Sequence, residues 1–140
     1  MSNTNIKFTA PGMDNDAAAK TIKVLDQRLV ALLDLQLTLK HVHWNVVGPN
    51  FIGVHEMLDP QVDGVRGMTD TIAERIATLG GVPKGTPKAI VEGRSWEDYQ
   101  LGKGLVLDHL KALDAVYDGV NGDHRKALEI LGDIDPVSED

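Results

Sequence analysis

Apolar residues recurring at steps of three, four and seven over three long stretches predict an all-α helix bundle. Two further features agree. The turn-forming runs Gly48-Pro49-Asn50 and Gly80-Gly81-Val82-Pro83 cut the chain where those stretches end. Apolar residues make up 42 % of 140 residues, enough for one packed core, so a single domain is expected.

Residues 1–16 are polar and carry Pro11 and Gly12, which predicts a flexible tail ahead of a domain spanning 17–140. Asp14 or Asp16 would cap the first helix. That helix is expected over 17–46, with Ile22, Leu25, Leu29, Leu32 and Leu39 on one face and His43 continuing the stripe. A second is expected over 50–79, where Leu58, Val62, Val65, Thr69, Ile72, Ile76 and Leu79 form a bundle seam. Pro60 removes one backbone hydrogen bond from it, which predicts a local bend.

Residues 84–98 read as a connector with a short helix around 87–92. A third long helix is expected over 96–131, weakened by Gly102, Gly104, Gly119 and Gly122. Its core candidates are Leu105, Leu110, Leu113, Val116, Val120 and Leu128. Asp135-Pro136 reads as the cap and first residue of a fourth helix that the sequence does not contain. An odd number of long amphipathic helices would leave one apolar face uncovered, so the natural chain is expected to be longer.

The net charge is −7 and the pI about 5.1, a balance that repels phosphate backbones. The absence of cysteine excludes disulfides and thiolate metal sites. No apolar run reaches membrane-spanning length and no signal-peptide pattern opens the chain, so no membrane partner and a cytoplasmic location are expected.

The second helix carries another stripe: His55, Asp59, Asp63, Arg66, Asp70 and Glu74, spaced four, four, three, four and four. At 100° per residue it lies roughly 120° from the Leu58–Leu79 seam. A solvated face is the ordinary reading of such a stripe. Three details oppose it. Asp70 and Glu74 are like charges one turn apart, destabilising unless a cation joins them. His55 and Asp59, also one turn apart, can reach one ion. His43 lies five residues before Gly48 and His55 five after Asn50, so an antiparallel helix pair brings them level.

The same residues cannot share a metal within one chain. Asp59 and Asp70 are separated by roughly 16 Å along a helix, and His55 and Glu74 by roughly 28 Å, whereas metal–ligand bonds span about 2.0–2.3 Å. Both pairs are centred between Gly64 and Val65. A two-fold axis there would join His43, His55 and Asp59 of one chain to Asp70 and Glu74 of its mate, with Gly64 and Gly67 permitting close approach. Two imidazoles and three carboxylates suit iron or another first-row divalent ion better than calcium.

The runs KHVHWNVVGPNFIGVHEMLD and MTDTIAERIATLGG closely resemble the Dps family, the mini-ferritins or DNA-binding proteins from starved cells. The resemblance covers nearly the whole chain from about Ala17 to Asp140. It implies a ferritin-like four-helix bundle with a short extra helix, assembled from two-fold dimers into a hollow homododecamer. It also implies a ferroxidase that oxidises Fe(II), preferably with hydrogen peroxide rather than oxygen, stores ferric mineral and protects against oxidative damage. Its metal ligands would be His43, His55, Asp59, Asp70 and Glu74, with Trp44 beside the site; iron is the metal and no organic cofactor is implied. Asp133, Asp135 and Asp140 would be solvated caps or the acidic lining of iron-entry pores. Association with the nucleoid is a trait of DNA-binding members, whose tails carry lysines. Here only Lys7 precedes Lys20, which makes DNA binding doubtful.

Other residues are expected to be structural. Trp44 is read mainly as core packing at the border of the site, His41 as surface, and His109 and His124 as lacking carboxylates at ligand spacing. HEMLD places Asp59 where zinc proteases have a second histidine, and GGVPKGT lacks the order of a phosphate loop. Two readings compete with the ferroxidase. A metal-dependent hydrolase could use the same site to activate water against amide or ester bonds. A DNA-compacting structural protein is the third, and the acidity argues against it.

Overall fold

Asp14 opens the first helix: its Oδ1 accepts a hydrogen bond from the Ala17 amide at 2.8 Å. The computed structural model describes residues 12–140, so the expected tail falls largely outside the described residues. The elements are α1 (Asn15–Asn45), β1 (Val46–Val47), α2 (Phe51–Thr78), α3 (Pro87–Gly93), β2 (Gly104–Leu105), α4 (Val106–Ile134) and the single turn α5 (Pro136–Glu139). No helix among the described residues is long and apolar enough to cross a membrane.

α1 and α2 form the main pair. The α2 seam residues Leu58, Val62, Val65, Thr69, Ile76 and Leu79 are buried against α1, as their periodicity predicts. One core cluster joins Leu39 and Val42 to Leu58 and Val62 near the α1–α2 junction; a second joins Leu25 and Leu29 to Ile76, Leu79 and Leu131 at the far end. α2 runs through Pro60 as one continuous helix. Between the helices the chain turns at Gly48 (φ +92°) and Asn50 (φ +65°). Both lie in the left-handed region, where glycine and asparagine are tolerated.

The third long helix begins at Val106, not Trp96, which corrects the expectation for residues 96–105. These residues form an extended strap tied to other elements by side chains. Trp96 Nε1 donates to Asp34 at 2.6 Å, His41 Nε2 to the Leu101 carbonyl at 2.6 Å, and the Tyr99 hydroxyl bonds His109 Nδ1 at 2.8 Å. The strap ends in β2, which pairs in parallel with β1, Val46 opposite Gly104 and Val47 opposite Leu105. His41, expected at the surface, is half-buried edge-on to Tyr99.

The α4 core expectation is met by Leu113, which is buried, and partly by Val116 and Val120, which are half-buried. Leu105, Leu110 and Leu128 are exposed. α4 packs one face on α1, burying His109, Leu113 and Leu131, and turns the next face toward a groove of about 660 Å³. Leu128 and His124 line that groove opposite Met68. Gly64 and Gly67, expected at a two-fold contact, line it too. The start of a fourth helix is present as α5, with Pro136 at its first position.

Candidate metal centre

The α1–α2 junction brings His43 and His55 to one level. Their rings stack with centroids 3.6 Å apart and planes 21° from parallel. Each ring is held by the other helix: His43 Nδ1 donates to the His55 carbonyl at 2.7 Å, and His55 Nδ1 to the His43 carbonyl at 2.8 Å. A carbonyl only accepts, so each Nδ1 carries a proton, and in the neutral ring it is Nε2 that holds the lone pair. This is the arrangement in which a metal-ligating imidazole is oriented by a hydrogen bond on its other nitrogen.

Asp59 lies one turn along α2 from His55, its Oδ1 3.5 Å from His43 Nδ1. The same oxygen accepts from Lys40 Nζ at 2.8 Å. That hydrogen bond, with the nearby positive groups, holds the Asp59 carboxyl below its usual range despite some desolvation. Lys40 was not among the residues singled out from sequence. Its position one turn before both His43 and Trp44 on α1 is the signal that marks it.

Asp70 and Glu74 are exposed further along α2, Asp70 in a hollow beside Leu33, Gln36 and Arg66. They do not meet His43, His55 and Asp59. Among the described residues no group of three His, Asp or Glu side chains is arranged to hold a metal ion by itself. Trp44 is 70 % exposed, which corrects the expectation of core packing; Lys40 Nζ lies 5.7 Å from its ring centroid.

The three aspartates near the C-terminal end differ. Asp133 and Asp140 are exposed. Asp135 is buried and bonded to Arg75 Nη2 at 2.8 Å and to the Ser138 hydroxyl, so it is not a solvated cap. Burial pushes its carboxyl up, and the Ser138 and Arg75 hydrogen bonds outweigh that and hold it below the ordinary range. His124 meets Arg28 Nη1 at 3.2 Å, and burial, then the Arg28 charge, push the imidazole down. His109 is fully buried and, among the described residues, its Nε2 has no hydrogen-bond partner.

Three comparisons bear on this geometry. A model of the ferritin-like domain matches residues 22–140. The DNA protection during starvation protein of Mycolicibacterium smegmatis is 58 % identical over 133 residues, covering 95 % of this chain and 73 % of that protein. Among solved structures, the tetragonal form of Mycobacterium smegmatis Dps is 57 % identical with a TM-score of 0.94, covering 95 % of this chain and 81 % of that one. DpsA14 from Streptomyces coelicolor is 59 % identical with a TM-score of 0.93, covering 95 % and 79 %.

Proposed function

The chain belongs to the ferritin-like family and, within it, to the Dps proteins, and from this we propose that it oxidises ferrous iron at sites shared between two-fold-related chains. His43, His55 and Asp59 of one chain and Asp70 and Glu74 of its mate bind the ferrous substrate. Two ferrous ions each give one electron to hydrogen peroxide, whose O–O bond breaks to hydroxide, and the ferric product is stored as mineral inside a hollow dodecamer. Exposed Asp133 and Asp140 are the carboxylates available to guide ferrous ions inward.

The observation that carries this reading is the reciprocal bonding of the two histidines. Each ring is held through Nδ1 by a backbone carbonyl, which in the neutral imidazole leaves Nε2 as the nitrogen with a lone pair for a metal ion. Carboxylates supply the remaining ligands, a hard donor set that suits iron in both oxidation states. The distance of roughly 16 Å between Asp59 and Asp70 along α2 requires a second chain to complete the site.

The test is complementation. A His43→Ala/His55→Ala chain and an Asp70→Ala/Glu74→Ala chain, each inactive alone, are co-expressed. Random pairing makes half of the dimers mixed, each with one intact and one doubly broken site, so about a quarter of wild-type ferroxidation is expected. Full activity in either parent, or none in the mixture, defeats the shared-site reading.

A further inference from the structure

Resting on the reading of His43, His55 and Asp59 as a ferrous half-site, we propose that Lys40 is a built-in competitor that holds Asp59 until a divalent cation displaces it. The residue sets the threshold and the charge selectivity of loading. Lys40 stands three residues before His43 and four before Trp44, so all three share one face of α1. Its ammonium spans two attractive groups, the Asp59 carboxylate at 2.8 Å and the Trp44 ring face at 5.7 Å. Among the described residues neither Asp70 nor Glu74 forms a salt bridge, so this cation sits on one ligand of the five.

An ion on Asp59 Oδ1 and an ammonium bonded to that same oxygen would be like charges in contact. The ion therefore expels the ammonium. A monovalent cation brings no more charge than the group it would displace, and it gains little from the two imidazoles. A divalent ion brings twice the charge and takes both Nε2 lone pairs. After displacement the flexible lysine stem leaves the ammonium within reach of the Trp44 face, so loading and the indole environment are linked.

The probe is Zn(II), which has no redox chemistry to confuse the reading. It is titrated calorimetrically into the assembled full chain at fixed pH and salt, in wild type, Lys40→Gln, Lys40→Arg and Lys126→Gln, the last a charge-matched control on α4. Lys40→Gln is expected to bind with a Kd at least about threefold lower than wild type, since the competing pair is gone. Lys40→Arg, which keeps the competitor, binds no more tightly than wild type. The zinc-induced change in tryptophan emission falls by at least half in Lys40→Gln.

A smaller gain in Lys40→Gln, or an equal gain in Lys126→Gln, overturns the proposal, the latter by exposing a general charge effect. Zinc binding that survives undiminished in His43→Ala/His55→Ala defeats the half-site reading itself and is told apart by that variant.

Discussion

Asp135 is a carboxylate whose environment fixes its charge. Arg75 bonds it at 2.8 Å and also donates to Ser138 Oγ at 2.7 Å, so one guanidinium ties α2 to the junction of α4 and α5. Because the folded carboxyl is held below its ordinary range, its stabilisation is present above the unfolded value and lost as pH falls through the folded one. Asp135→Asn is expected to cost about 1–3 kcal/mol at pH 7, because the half-buried Arg75 loses the charge of its buried partner. Thermal melts should show the gap between variant and wild type closing below about pH 4. An unchanged gap at pH 3 would show that the carboxylate charge is not what stabilises the junction. The candidate ligands differ in what holds them: His43 and His55 are fixed by backbone carbonyls, while Asp59 is held by the side-chain ammonium of Lys40.

The α1–α2 junction decides whether the two histidines meet. A side chain at Gly48 would meet two obstacles, a φ of +92° and Leu105 Cδ2 at 2.7 Å from the added Cβ. Gly48→Ala is therefore expected to lose about 1–2 kcal/mol in denaturant unfolding, and zinc affinity at the half-site should fall with it. Retained affinity would mean that His43 and His55 find each other without this turn. This junction was legible in sequence, because Gly48-Pro49-Asn50 and two equal offsets of five residues are local signals. The α2 seam was legible for the same reason. The strap at 96–105 was not: Trp96 and Leu101 reach Asp34 and His41, far away in sequence, while Tyr99 reaches His109, and such contacts leave no periodicity. The exposure of Leu110 and Leu128 also escaped the pattern, since an amphipathic stripe records that a face is apolar and not whether a partner covers it.

For the whole molecule, charge governs what approaches. A net charge of −7 per chain grows in proportion in any homo-oligomer. Basic side chains such as Lys126 are engaged by neighbouring acids, here Asp123 at 3.1 Å. A gel shift of plasmid DNA at about 0.15 M salt, where the Debye length is about 8 Å, is expected to show no retardation by the 140-residue chain. Clear retardation would locate a basic surface that these residues do not reveal. The parallel pairing of Val46 with Gly104 has a consequence for the order of folding events. It closes a loop of roughly 58 residues, an entropic cost of about 3–4 kcal/mol before any constant term, whereas the α1–α2 hairpin closes across a few residues. The hairpin should therefore form early and the ladder late. Val46→Ala, at a core position of β1, should speed unfolding and leave the refolding rate within about twofold. The two histidines then face each other while the strap is still loose, so a nascent chain would bring these candidate ligands together before it finishes folding.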